Sequence, residues 1–230
     1  MTTPSKVQYS VEEGVAHVVL DRPERLNALD FGPNSLRQQV LDALRDADHN
    51  EAVGAIVIRG AGRAFCAGGD LDMVVDGTEF RSPTIDDERA FMAMVADFDE
   101  QVRRTSTPVI AAVHGLCLGT AMSFVAQCDF VIAANDARFG LVEGRIGHPG
   151  VAELVPIVGV AWAKFLILTG EMIDARVAQQ IGLVLAVVER EALVDRASDL
   201  AGRIARMPRA STAMNKATVN AIADAGGRAA

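Results

Sequence analysis

The feature that most constrains this chain is a recurrence of short apolar runs, glycine-bearing turns and stretches of helical periodicity. Ala55-Ile56-Val57-Ile58 runs into Gly60-Ala61-Gly62. Pro108 to Val113 runs into Gly115 and Gly119, before an apolar helix from about Thr120 to Gln127. Asp129 to Ala133 repeats the strand pattern. Such a recurrence specifies an α/β layered fold. Ahead of it, Val7 to Val11 and Val15 to Leu20 flank Glu12-Glu13-Gly14 as a hairpin. Asp21-Arg22-Pro23-Glu24-Arg25 is a charged turn, since Pro23 cannot continue a central strand.

Leu36, Val40, Leu41 and Leu44 predict a helix over Ser35 to Asp46, and Phe91, Met94, Val95, Phe98 and Val102 predict a second. Between them Asp76 to Asp87, with Gly77 and Pro83, reads as a mobile loop. Beyond Gly150 the pattern is mostly helical: Val151 to Leu168, Asp174 to Ile181, Glu191 to Ile204 and Ala210 to Ala223. No linker sets these helices apart. The expected organisation is a core of residues 1–150 with a helical C-terminal region, 151–230, ending in a frayed Gly226-Gly227-Arg228-Ala229-Ala230 tail.

Half of the 230 residues are hydrophobic and 23% are charged, which excludes a disordered chain. Aromatics are only 5%, so Ala, Val, Leu, Ile and Met must build the core. The net charge of -8 argues against nucleic-acid binding, although a local arginine cluster can still meet a polyanionic ligand. Cys66, Cys117 and Cys128 are odd in number and lack metal spacing, so a reduced, cytoplasmic protein without a metal is expected. The N-terminus lacks a signal-peptide apolar core, and no run reaches the roughly 18 apolar residues of a membrane span.

Several segments compete for the chemistry. Gly60-Ala61-Gly62 follows a strand, but Phe65 stands where a dinucleotide fingerprint needs its third glycine. Gly115-Leu116-Cys117-Leu118-Gly119 mimics a nucleophile elbow, yet the downstream His such an enzyme needs is limited to His148. A buried small cysteine explains Cys117 better. The two glycine segments together offer more. Amides in the Gly68-Gly69-Asp70 turn and at Gly119-Thr120 have no helical partner, so two of them can converge on one carbonyl oxygen as an oxyanion hole. Glu143, the lone charge in Phe139-Gly140-Leu141-Val142-Glu143-Gly144, can move a proton if apolar neighbours raise its pKa. A surface turn is the competing reading for that residue.

Four stretches in order resemble the crotonase superfamily, the enoyl-CoA hydratases and isomerases: residues 15–30, 55–72, 108–147 and 168–188. The resemblance implies a spiral of β-β-α repeats with a helical C-terminal region, assembled as a homotrimer or dimer of trimers. It implies an acyl-CoA substrate, with coenzyme A entering as part of the substrate and no separate cofactor, and a place in fatty acid metabolism. It puts the oxyanion amides on Gly69 and Thr120 and the acid–base role on Glu143. Arg25, Leu26 and Ala28 match the loop that holds CoA; Ala67, Gly68, Asp70 and Leu71 match the loop around adenine and pantetheine. Leu116 and Gly119 also fall on substrate-binding positions. Arg22, Arg25 and Arg63 would supply positive charge for the CoA phosphates.

Departures from the family pattern matter equally. Thr120 stands where most relatives have Gly. Ser123 stands where hydratases carry a second glutamate, the segment 145–150 is about one residue shorter, and the chain stops short of the family's last helices. Hydration needs two proton-handling groups, whereas moving a double bond needs one. Isomerase-like, single-glutamate chemistry on an acyl-CoA thioester is therefore expected over efficient hydration. The alternatives are a non-catalytic acyl-CoA-binding paralogue and a hydratase using a non-standard second group such as His148.

Overall fold

The structure is a computed structural model that describes residues 5–73, 75–76, 79–80, 84–146, 148 and 154–227. Its elements are β1 (Val7–Glu12), β2 (Val15–Leu20), α1 (Leu36–His49), β3 (Ala55–Gly60), a two-residue hairpin of β4 (Val75–Asp76) and β5 (Glu79–Phe80), and α2 (Ile85–Arg104). Next come β6 (Val109–Val113), β7 (Leu116–Leu118), α3 (Thr120–Ala126), β8 (Phe130–Ala134), β9 (Arg138–Gly140) and α4 (Val155–Thr169). The chain finishes with β10 (Met172–Asp174), α5 (Ala175–Gln180), β11 (Ala186–Val188), α6 (Leu193–Ala205) and α7 (Arg209–Gly227).

The main sheet runs β1-β2-β3-β6-β8-β11, antiparallel only at the β1–β2 hairpin. Parallel strands covered on both faces read as unbroken apolar runs, and all five residues of β6 are buried. Alternate residues serve two cores. Ile56, Ile58, Val109, Ala111 and Val113 face the larger core with α1 and α2; Val57, Ile110, Ala112 and Ile132 face a smaller one under α6. Ala197 and Ala201, with no side-chain bulk, let α6 lie close on that face. α1 begins where the hydroxyl of Ser35 accepts the Gln38 amide at 3.2 Å.

Four of the six main-sheet strands continue through a turn into a second, shorter layer. β2 leads to residues 26–29, β3 to 66–70, β6 to β7 and β8 to β9. These four segments lie side by side: Leu29 bridges Gly69, Cys66 bridges Cys117, and β7 pairs with β9 in parallel. A helix follows each, α1 through α4, so the chain climbs as a spiral of β-β-α repeats, as expected. Gly115 makes the sharpest of these turns. It has φ +55°, and a Cβ there would stand 2.2 Å from the Arg63 carbonyl oxygen.

The structure departs from the sequence expectation in places. Residues 85–87, assigned to a loop, begin α2, and residues 75–76 pair with 79–80; 74, 77–78 and 81–83 lie outside the described residues. β7, β9, β10 and β11 were not anticipated, because three residues cannot show a period. β11 brings the C-terminal region into the main sheet beside β8. α4 is described from Val155 rather than Val151, residues 151–153 lying outside the described residues, and it breaks at Gly159, which adopts φ 75°, ψ 163°. α7 includes Gly226 and Gly227, where a frayed tail was expected; residues 228–230 lie outside the described residues.

Gly115→Ala meets two costs together: a left-handed backbone at roughly 1–2 kcal/mol and overpacking at roughly 1–3 kcal/mol. We expect urea unfolding to show a loss of about 3 kcal/mol.

Candidate active site

The site assembles where the second layer brings the glycine turns together. Asn27 fastens the first two repeats. It is fully buried at φ 55°, its Nδ2 donates to the carbonyls of Ala61 (2.9 Å), Ala64 (2.9 Å) and Phe65 (3.1 Å), and its Oδ1 accepts the Arg22 amide at 2.9 Å. Asparagine tolerates this left-handed backbone better than most residues, and its amide satisfies four groups at once. Sequence reasoning named Arg25, Leu26 and Ala28 around it and passed over Asn27. An asparagine inside an otherwise apolar Leu-Asn-Ala-Leu stretch is the signal it left.

Backbone bonds complete the junction: Ala67 donates to Leu26 (3.0 Å), Leu29 to Gly68 (2.7 Å), Asp70 to Leu29 (3.1 Å) and Gly119 to Gly140 (2.8 Å). Arg22 pairs with buried Asp70 at 2.6 Å and also donates to the Ala28 carbonyl at 3.1 Å. Arg25 reaches Asp70 at 3.4 Å and pairs with Asp72. Two of the three arginines expected to meet phosphates, Arg22 and Arg25, are thus engaged by carboxylates, and they tie the 22–28 loop to the 66–72 loop. Arg63 is exposed at the Gly62 turn, and Leu71 is half exposed in the 3-10 turn Leu71–Met73.

Glu143 lies on the 3-10 turn Val142–Ile146 that follows β9, and its carboxyl packs on the backbone of Gly119. A Cβ at Gly119 would sit 2.6 Å from Glu143 Oε1 and 3.1 Å from Cδ, so a side chain at 119 is incompatible with this placement. Both carboxyl oxygens are buried without a hydrogen-bond partner from another residue. Burial pushes the Glu143 pKa up to about 7. Gly69 faces the same place from the other turn: the nearest atom to a Cβ built on it is Thr120 Oγ1, at 3.9 Å. Among the described residues, no backbone acceptor takes the amides of Gly69 or Thr120, while Asp70, Gly119 and Met122 amides are all used. The structure therefore brings Gly69, Gly119, Thr120 and Glu143 together. His148 adjoins them by donating its amide to the Glu143 carbonyl at 3.1 Å.

Ser123 sits one turn into α3 and is fully buried, its hydroxyl donating to Asp99 on α2. Asp99 supports the charge of Arg37, whose buried guanidinium lies 4.4 Å from the Phe31 ring and 5.0 Å from the Phe98 ring. Burial pulls the Arg37 pKa down to about 10, with Asp99 opposing. Cys117 is free, fully buried and pushed well above the ordinary thiol range by burial, which excludes the elbow chemistry. A cavity of about 890 Å³ lies between α7 and the body of the molecule. Its inner cations, Lys216 and Arg103, are already paired with Asp129 and Asp224, and the orphaned groups at Glu143 lie elsewhere. No helix among the described residues is long and apolar enough to cross a membrane.

A β-β-α spiral that buries one acid against two glycine turns defines a crotonase-type protein. The chain belongs to the enoyl-CoA hydratase/isomerase family, whose model matches residues 10–229. It is 37% identical over 213 residues to a probable enoyl-CoA hydratase of Mycobacterium leprae, covering 90% of this chain and 77% of that one. It is 33% identical to the 1,2-epoxyphenylacetyl-CoA isomerase of Escherichia coli, covering 91% and 80%. The crystal structure of an enoyl-CoA hydratase/isomerase from Xanthobacter autotrophicus Py2 superposes with a TM-score of 0.89 at 35% identity, covering 98% of this chain and 82% of that one.

Two stability measurements follow from this geometry. Glu143 binds its proton more tightly in the folded chain, so its burial costs stability as pH rises from 4.5 to about 7, and the cost is constant above that. Glu143→Gln should therefore be neutral at pH 4 and more stable than the parent by up to about 3 kcal/mol at pH 8 in urea titrations. Asp99→Ala strands the Arg37 charge and the Ser123 hydroxyl, so a loss of about 3 kcal/mol is expected, partly recovered when Arg37→Met is added.

Proposed function

We propose that the chain acts on an acyl-CoA thioester through an enolate, in an isomerase-like reaction that uses Glu143 as its single proton carrier. The thioester carbonyl accepts the amides of Gly69 and Thr120. Glu143 takes a proton from the α-carbon, the electron pair moves onto the carbonyl oxygen, and the proton returns to the γ-carbon of the extended enolate. A β,γ double bond becomes α,β, and nothing is lost or gained. The observation that carries this reading is the buried carboxyl of Glu143, without a partner from another residue, in one site with the Gly69 and Thr120 amides, which no backbone acceptor takes among the described residues. A group with a pKa near 7 both accepts and returns a proton near neutral pH. Ser123 supports a one-acid mechanism, because its hydroxyl is committed to Asp99.

Coenzyme A enters as part of the substrate and leaves as part of the product, along the 22–28 and 66–72 loops. A second reading, hydration with His148 as the other proton-handling group, is favoured by the His148 position directly after the Glu143 turn. Assembly as a homotrimer or a dimer of trimers is supported by the exposed apolar residues Val160, Trp162, Phe165 and Leu168 of α4 and Met214, Val219 and Ile222 of α7. Three free, buried cysteines fit the reducing cytoplasm.

Glu143→Gln tests the proposal. It should bind CoA thioesters as the parent does while turnover of a β,γ-enoyl-CoA falls at least about a hundredfold. In the parent, the rate should rise with pH through about 7, as the carboxyl becomes a base. Near-full activity of Glu143→Gln contradicts the assignment, and binding without any α-proton exchange in the parent points to an acyl-CoA-binding paralogue.

A further inference from the structure

Thr120 brings more than an amide to the site. Its hydroxyl oxygen is buried without a hydrogen-bond partner, and the residue is only 4% exposed. Threonines on helices ordinarily return the hydroxyl to the carbonyl four residues back, as Thr105, Thr169, Thr212 and Thr218 do in this chain. For Thr120 that carbonyl belongs to Leu116 in β7, where it accepts the Cys66 amide at 3.0 Å. The hydroxyl instead stands against Gly69, the nearest atom to the space a side chain there would fill. One residue away, Gly119 lies under the Glu143 carboxyl, whose oxygens take no hydrogen bond from another residue. A buried hydroxyl left without an acceptor is satisfied when a ligand brings an accepting oxygen to the site.

We propose that the Thr120 side chain is a third hydrogen-bond donor to the thioester oxygen, joining the Gly69 and Thr120 amides; this rests on the acyl-CoA enolate reading above. A carbonyl oxygen presents two lone pairs, which two amides satisfy. The enolate oxygen presents a third pair and a full charge, so the third donor gains most after the α-proton has moved to Glu143. The hydroxyl keeps its own proton and only donates. An interaction made mainly with the enolate changes the rate more than the affinity.

Thr120→Val keeps the shape and removes the donor, and Thr120→Ser keeps the donor and removes the methyl. The probe is butyryl-CoA in heavy water, with α-proton exchange followed by NMR and binding by calorimetry. Thr120→Val should lower exchange about tenfold, less than the hundredfold or more typical of losing a preorganised oxyanion donor. Affinity should stay within about twofold, since the hydroxyl adds little to the ground state. Thr120→Ser should exchange faster than Thr120→Val. Thr120→Ala removes the same donor and replaces Thr120→Val should the latter not fold. Exchange at the parent rate in the Val or Ala variant overturns the inference while leaving the enolate reading intact, as does a parallel fall of rate and affinity that Thr120→Ser shares. A parent that exchanges no α-proton defeats the enolate reading itself, and this inference with it.

Discussion

The lateral contact between successive turns of the spiral is the constraint on which the rest depends. Four short segments, none longer than five residues, must lie side by side at backbone distance, and none of them could hold a structure alone. Close approach is bought with glycine: Gly115 lies so near the Arg63 carbonyl that any side chain would collide. Asn27 then replaces the backbone partners that irregular turns lose, serving three carbonyls and one amide from a single buried side chain. Arg22 and Asp70 add a partly buried ion pair across the same junction. The main sheet supplies hydrophobic stability, but this layer determines which turns meet.

What meets there explains why Glu143 stands apart among the described acidic residues. Most carboxyl groups of the described residues reach solvent, a cation or a hydroxyl. Glu143 reaches none of these: its carboxyl is pressed against Gly119, and burial alone moves its pKa into the neutral range. The Gly119 amide does not satisfy it, since it donates to the Gly140 carbonyl. An unsatisfied buried acid costs stability, and proteins retain such costs at functional sites.

The strand–turn–helix recurrence made the long parallel strands and most helices legible, because β-branched runs of five or six residues and amphipathic stripes carry their own period. The family's spiral and the convergence of Gly69, Thr120 and Glu143 came from resemblance, since a non-local meeting of turns has no local signature. β7, β9, β10 and β11 were illegible for a simpler reason: at three residues each, they are held by neighbours and not by propensity. Asn27 hid because its work is tertiary. Asp99 hid as well, on a helix face that reads as an ordinary acidic-apolar pattern, Asp97-Phe98-Asp99-Glu100. Only the packing of α2 on α3 separates it from its solvated neighbours.

Asp99 also explains the most conspicuous departure from the hydratase pattern. Ser123, in the place of the second glutamate, is enclosed and bonded to Asp99, which in turn faces Arg37 between two phenylalanine rings. A glutamate at 123 would bring a second carboxylate against Asp99 in a buried space with one guanidinium, and like charges so placed cannot both remain ionised. The serine and the aspartate therefore belong together. Position 123 is a brace between α3 and α2, anchored one turn below Thr120. The Ser123–Asp99 bond ties to α2 the first turn of α3, which carries Thr120 and follows the Gly119 backbone that packs against Glu143. On the one-acid mechanism proposed above, the absence of a second acid at 123 and the placement of Thr120 are two consequences of a single buried network.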